Sequence, residues 1–308
     1  MRPFTRNRRD SVAAWGEERL ISALRRWLGT ASPPSPRGIG DDCAILPPSR
    51  ARQLITVDPV ILGRHFDAST PPRDVAAKLF RRNLSDIAAM GGQPVAAVVA
   101  LTLDPRVDRR WLEAFYRGLA ACSRHYRVPV VGGDVSEAPG QLAASLTPLG
   151  RAAGPRLLTR HGARAGDWIC VTGLLGRSHP TGHHLGFTPR LAEGRWLASR
   201  PAVRALIDVS DGLAKDLRAL TPPGTRAALN PDALPRRAGA SLREALCDGE
   251  DYELLFALAA RTDRAAFAAA WHRAFPRTPL TCVGRFVRGP LPDGCPDLSR
   301  FHGYEHLR

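Results

Sequence analysis

The residues best suited to chemistry are a series of aspartates at glycines, strand ends and helix starts: Asp41, Asp42, Asp58, Asp86, Asp134, and the pair in Asp208-Val-Ser-Asp211-Gly212. The first two stand side by side in Gly38-Ile-Gly-Asp-Asp42, between a Pro/Ser-rich loop and a short apolar run. Adjacent carboxylates repel unless one is protonated or a cation lies between them, so such a loop favours a divalent ion. Taken singly, each position also has a structural reading: Asp before Gly forms turns, and Ser210 or Asp211 can cap the helix that follows. Taken together, so many carboxylates at element ends of a strongly basic chain exceed what capping needs. Hard oxygen donors without His or Cys select magnesium over zinc, and magnesium points to phosphate.

These side chains must be positioned by the elements around them. Apolar spacing at Leu20, Ile21, Leu24, Trp27 and Leu28, closed by Gly29, predicts a helix over 17–28. Strands are predicted at 44–46 and 54–57, the second delivering Thr56 and Asp58 at its C-terminal end, where open α/β folds place ligands. A second helix opens at Pro71-Pro-Arg-Asp74 and stops at Gly91-Gly92, with Asn83 and Asp86 projecting from one side. A strand at 95–103, a helix marked by Trp111, Leu112, Phe115 and Leu119, a strand at 128–131 running into Gly132-Gly-Asp134, and a strand at 142–149 complete this half.

The texture shifts around Ala152-Ala-Gly-Pro155, which divides the chain into domains 1–152 and 153–308. The second half reads as strands at 168–172, 205–209, 226–229, 252–258 and 280–287, with helices at 211–220, 241–246 and 262–275. Alternation of strand and helix in both halves gives an α/β or α+β class. Segment 176–198 has little periodicity and reads as a solvated loop. Its His179, His183 and His184 leave a metal site as the alternative, but adjacent histidines point in different directions in most backbones and no carboxylate cluster joins them, so the loop is the stronger reading.

Composition narrows the function classes. A chain of 308 residues, 44% of them hydrophobic, has room for two domains and a sizeable core. No stretch approaches the roughly 18 apolar residues of a membrane span, and the basic start lacks a signal-peptide core, so a cytoplasmic protein is expected. The six cysteines contain no C-x-x-C pair and are expected to be reduced, mostly buried thiols. A net charge of +15 raises nucleic-acid binding. The charge, however, is nearly all arginine in scattered pairs, with Lys78 and Lys215 the only lysines, a compositional bias rather than a groove. No nucleic acid or membrane partner is therefore expected. Neither a P-loop nor a protein-kinase glycine loop occurs, and Gly38-Ile-Gly40 lacks the third glycine of a dinucleotide fingerprint, so a nucleotide would be held through metals.

Several blocks occur in an order and spacing that resemble the thiamine-monophosphate kinase family, within the aminoimidazole ribonucleotide synthetase-like superfamily. They are Gly38-Ile-Gly-Asp-Asp42, Thr56-Val-Asp58 with Gly63-Arg-His65-Phe66, Asn83-Leu-Ser-Asp86-Ile-Ala-Ala-Met-Gly91, Gly132-Gly-Asp134, Arg160-His-Gly-Ala-Arg-Ala-Gly-Asp167, Asp208-Val-Ser-Asp211-Gly and Gly249-Glu250-Asp251-Tyr-Glu-Leu-Leu-Phe256. The likeness runs from Gly16-Glu17 to the end. It implies an N-terminal domain that binds ATP and metal and dimerises through a shared β-barrel, a C-terminal α/β domain, and an active site in the cleft between them. It implies direct transfer of the γ-phosphoryl of ATP to thiamine monophosphate in a homodimer with several magnesium ions.

By position, the resemblance makes Asp42, Thr56, Asp58, Asp86, Asp134, Asp208 and Asp211 metal ligands. It places Gly133, Asp134, Arg160 and Ser210 against ATP, and His65, Glu250 and Tyr304 against the thiamine phosphate. No general base is expected, since the acceptor phosphate is already ionised and a loose in-line transfer needs positioning and charge neutralisation. The chain departs from the family pattern at Val57, Leu62, Arg177 and Asp248, and Tyr304 stands where the family has tryptophan, keeping an aromatic face. These departures keep two other readings in view: a superfamily relative that activates another small substrate with ATP, and a weakly active paralogue that binds nucleotide or thiamine phosphates.

Overall fold

A computed structural model describes residues 1–35, 37–39 and 44–305, so Asp41 and Asp42 lie outside the described residues. The chain divides into two compact units, Met1–Ile87 with Pro94–Arg151, and Ala88–Gln93 with Ala152–Arg308. Each has a five-stranded sheet with helices packed on it, a mixed α/β architecture.

In the first unit α1 (Gly16–Leu28) buries Leu20, Ala23, Leu24 and Leu28 and packs on α3 (Arg109–Tyr126). Helix α2 (Pro72–Ala89) buries Val75, Leu79, Phe80 and Leu84. It meets α3 at Gly118, where a Cβ would lie 2.8 Å from the Ala76 Cβ, so only glycine allows the approach. Asp108 caps α3 by accepting from the Arg110 and Trp111 amides. The sheet runs β1 (Gln53–Ile55), β5 (Leu142–Ala152), β3 (Gly92–Leu103), β4 (Val130–Glu137), with β2 (Asp58–Ile61) also on β5. Strands β1 and β2 are antiparallel to β5, while β3 and β4 run parallel.

Three local expectations change here. Residues 44–46 form no strand, since Pro47-Pro48 follows them and neither proline can donate to a ladder. The predicted strand 54–57 ends at Ile55, and Asp58 opens β2 instead of closing a strand. The Gly132-Gly-Asp134 motif lies inside β4, not after it. A Cβ on Gly133 would sit 2.0 Å from the Val99 carbonyl oxygen, so the glycine serves close pairing with β3 and does not break the strand.

The second unit is built on the antiparallel order β7 (Val203–Asp208), β9 (Leu254–Leu258), β6 (Trp168–Thr172), β10 (Leu280–Val287), β8 (Arg226–Leu229). Strand alternation sends Ile169, Val171, Ile207, Leu255 and Val283 into one core with α6 (Leu213–Leu220) and α7 (Leu242–Cys247). Cys170, Leu206, Leu254, Phe256 and Leu258 face the other, shared with Leu197 and Trp271 of α5 (Leu191–Ala198) and α8 (Arg264–Ala274). Both faces are covered, so the strands read as continuous apolar runs.

Segment 176–198 is not the solvated loop its weak periodicity suggested. It contains α4 (His183–Gly186) and α5, with Leu197 fully buried and Glu193 buried against the Thr278 hydroxyl. Short helices pinned by polar contacts leave little periodic trace. Among the described cysteines none is bonded; Cys122 and Cys170 are buried, while Cys247, Cys282 and Cys295 are half-buried, fewer buried than expected. No helix of the described residues is long and apolar enough to cross a membrane.

Candidate functional site

Three of the candidate ligands meet in the first unit. Thr56 lies in the short link between β1 and β2, and its hydroxyl donates to Asp86 Oδ2 on α2 at 2.7 Å. Asp58 is held by its main chain: its N–H donates to Asn83 Oδ1 at 2.8 Å, and Asn83 Nδ2 donates back to the Asp58 carbonyl at 3.2 Å. Asn83 is fully buried and also donates to the Leu79 carbonyl. The three-residue spacing on α2 thus turns Asn83 and Asp86 to the same link, one as clamp and one as carboxylate. The Asp58 carboxylate faces Arg82 Nε at 3.3 Å. Sequence spacing marked Asn83 without revealing that it acts on Asp58.

Elsewhere in this unit Asp134 is exposed on β4 and accepts from the Ser136 hydroxyl at 2.8 Å. With Gly132 and Gly133 it lines a cavity of about 940 Å³ that is also lined by Glu18, Arg25 and Arg26 of α1. Strand β4 ends the path of its sheet, so among the described residues no strand pairs with its outer edge. His65 is nearly buried. Its Nδ1 accepts from the Ile61 N–H, and its carbonyl accepts from the fully buried Lys78 ammonium at 2.7 Å.

In the second unit three separated motifs converge. Asp208 closes β7, and the loop after it crosses to α6 through Gly212 at φ 109°. The Glu250 N–H donates to the Ser210 carbonyl at 2.7 Å, and the Tyr304 N–H donates to the Asp211 carbonyl at 2.8 Å. Glycines make both approaches possible: a Cβ on Gly249 would lie 2.7 Å from the Ser210 oxygen, and one on Gly303 would lie 2.2 Å from the Asp211 oxygen. Lys215 ties the cluster, pairing with Asp211 at 2.6 Å and donating to the Tyr304 carbonyl. Ser210, Asp211, Glu250 and Tyr304 are thereby brought together. Arg160 lies exposed on a different loop of this unit, and His65 belongs to the first unit.

Supporting residues here carry no motif signature. Buried Asp216 accepts from the Ser210 and Asp211 amides at 3.1 and 3.0 Å, fixing the loop from inside. Burial, then the neighbouring Asp211 charge, pushes its carboxyl up to about 7. A polar residue on the apolar side of α6, between Leu213 and Leu217, is the one signal that could have found it. Glu250 sits at φ 64° and Tyr252 at φ 51°, left-handed conformations that side chains adopt at a cost. Asp251 between them is fully buried, bonded to Arg237, the Ser178 hydroxyl and the Gly176 N–H. Glu253 is gripped by Arg190 at 2.6 Å and by the Thr172 hydroxyl at 2.7 Å.

The three histidines of segment 176–198 also join this framework. His179 Nε2 meets Glu250 Oε2 at 2.7 Å, His183 Nε2 contacts the Asp251 carbonyl, and His184 stacks on His179. Burial lowers the His183 pKa. Among the described residues no group of three or more His, Cys, Asp or Glu side chains could hold a metal ion. What the first unit does supply is the Thr56 hydroxyl of the link, bonded to the Asp86 carboxylate of α2, and the Asp58 carboxylate at the start of β2, hard oxygens suited to magnesium and not to softer metals.

The N-terminal domain model for AIR synthase related proteins matches residues 40–152. The chain is 37% identical to a thiamine-monophosphate kinase from Salmonella typhimurium, over 88% of this chain and 91% of that one. Its fold resembles the crystal structure of thiamine-monophosphate kinase from Stenotrophomonas maltophilia, with a TM-score of 0.76, 30% identity, and coverage of 88% and 96% of the two chains. It also resembles AaThiL complexed with AMPPCP and TMP, with a TM-score of 0.70, 26% identity, and coverage of 96% and 98%.

Proposed function

The chain belongs to the thiamine-monophosphate kinase family, and we propose that it transfers the γ-phosphoryl of ATP to the phosphate of thiamine monophosphate, giving thiamine diphosphate. The near-full-length kinship with the Salmonella kinase carries this reading. The complex of a related chain with AMPPCP and TMP supports both ligands.

We assign metal binding to Thr56, Asp58, Asp86, Asp134, Asp208 and Asp211, with Asp42 joining them from outside the described residues. Magnesium held by these hard oxygens would neutralise the repulsion between donor and acceptor phosphates. The protein's own part is positioning. Asn83 fixes the Asp58 main chain, Asp216 fixes the Ser210–Asp211 loop, and the Asp251 contacts hold Glu250 in its left-handed conformation. Gly133 and Ser210 are assigned to ATP and Arg160 to its phosphates, where a guanidinium makes paired hydrogen bonds. His65, Glu250 and Tyr304 are assigned to thiamine monophosphate, with the Tyr304 ring stacking on the substrate. No side chain is assigned as general base, because the acceptor oxygen is already ionised.

Residues 1–152 are assigned as the ATP, metal and dimerisation domain and 153–308 as the C-terminal α/β domain. The outer edge of β4, unpaired among the described residues, supports a homodimer, since an unpaired edge invites a second copy. Purified protein incubated with ATP, magnesium and thiamine monophosphate should form thiamine diphosphate and ADP. Retained ATP binding with no thiamine diphosphate would refute the substrate assignment.

A further inference from the structure

We propose that Cys170 and Cys282 form a peroxide-oxidisable dithiol, a modification site in the second unit that is independent of the kinase reading. The two residues are direct cross-strand partners of β6 and β10, and both thiols are free. Opposed residues of an antiparallel pair lie within the Cα separation that a disulfide spans. A bulge between Cys282 and Gly284 shifts the register of β10. Cys282 therefore faces Cys170, on the same side of the sheet as Trp168, while Val283 enters the opposite core.

The two thiols are unequal. Cys170 is 2% exposed, whereas Cys282 is half-buried and reachable from solvent. Arg264 Nη1 stands 4.0 Å from Cys282 Sγ, and its guanidinium is seated over the Trp168 ring, which Arg285 also covers. As a thiol, Cys282 donates to the Gly284 carbonyl at 3.9 Å. The Cys170 S–H, then the Arg264 guanidinium, lower the Cys282 pKa against its burial, while the same contact and burial raise that of Cys170. An accessible, cation-stabilised thiolate beside a resolving thiol is the arrangement that reacts with peroxides.

The reaction balances with hydrogen peroxide as oxidant. The Cys282 thiolate attacks one peroxide oxygen, the O–O bond breaks, and the departing hydroxide takes a proton to leave as water, giving a sulfenic acid. The Cys170 sulfur then attacks the Cys282 sulfur, the S–O bond breaks, and the hydroxide leaves as water with the Cys170 proton. Two thiols thus give up two electrons to one peroxide and form one disulfide, which ties β6 to β10.

The test is peptide mapping of the full chain after brief hydrogen peroxide treatment, maleimide blocking and digestion without reductant. A cross-linked peptide pair containing Cys170 and Cys282 should appear and vanish on dithiothreitol treatment, while Cys122 and Cys247, whose pKa values burial raises, stay alkylatable after denaturation. In Cys170→Ala the Cys282 sulfenic acid should be trapped by dimedone. In Arg264→Met the pH midpoint of Cys282 alkylation should move upward. Should the wild-type chain keep both thiols free, or give cross-links spread evenly over all its cysteines, the proposal is overturned. The wild-type mapping decides this even where a variant fails to fold.

Discussion

Asn83 holds Asp58 by the main chain from both sides: it accepts from the Asp58 N–H at 2.8 Å and donates to the Asp58 carbonyl at 3.2 Å. The clamp sets where the carboxylate of a candidate ligand projects, although Asn83 need not touch a substrate. Asn83→Ala leaves a buried amide unpaired and should cost about 1–3 kcal/mol of stability. Turnover in the folded fraction should fall about a hundredfold, as for other misplacements near 1 Å. Chemical denaturation and steady-state kinetics on the same preparation separate the two effects. Wild-type turnover would show that the clamp has no positioning role.

Asp216 makes a sharper case because its chemistry is separable from its shape. Asp216→Asn keeps an acceptor oxygen for the Ser210 and Asp211 amides, while Asp216→Ala removes it. The alanine variant should lose about 1–3 kcal/mol and most of its activity, and the asparagine variant should retain most of both. Equal loss in the two would mean that the charge, not the hydrogen bonds, matters.

The Arg190–Glu253 pair is enclosed, with side chains 18% and 3% exposed. Arg190→Met strands a buried carboxylate beside Thr172 and should destabilise the protein by about 3–5 kcal/mol. Pairing it with Glu253→Gln should recover part of that loss, which a double-mutant cycle in urea would measure.

Asp104 gives the pH dependence. The Arg106 fork, with Oδ contacts at 2.9 and 2.7 Å, holds its carboxyl well below the ordinary value, against the opposing effect of burial; the Arg106 and Gly140 amides add to the lowering. A carboxyl depressed on folding contributes stability that is fully present above its unfolded pKa near 4 and lost as pH falls toward the folded one. Asp104→Asn should therefore cost about 1–3 kcal/mol at neutral pH, with the gap from wild type closing as pH drops below about 4. A gap that is constant with pH would contradict the ionised-pair account.

Much of the fold was legible because its strands announce themselves by composition. Trp168–Thr172, Arg226–Leu229 and Leu280–Val287 are apolar runs between turn residues, and their bounds follow from the sequence. Thr56 and Asp86 stood out because each lies in a motif where hard oxygens meet glycine or an element end, whereas Glu250 and the ligand role of Ser210 came only from the family resemblance. Asn83 as a clamp, Asp216, Asp251 and Glu253 stayed hidden, since their roles come from partners far along the chain: Asp251 is bonded to Ser178 and Arg237, Glu253 to Thr172 and Arg190. Local periodicity carries no record of such contacts. Gly132-Gly133 misled for the opposite reason, because a pair that usually ends a strand here permits close pairing with β3.

Under the proposed assignment, the carboxylates of the first unit drive phosphoryl transfer to thiamine monophosphate. Its most direct measurement is thiamine diphosphate formed per enzyme, with ATP and magnesium, by wild type, Asp58→Asn and Asp86→Asn in parallel with their circular dichroism spectra. Wild type should give product, each variant should show a fall of about a hundredfold or more, and the spectra should be unchanged. Near-wild-type rates in both variants would contradict the assignment.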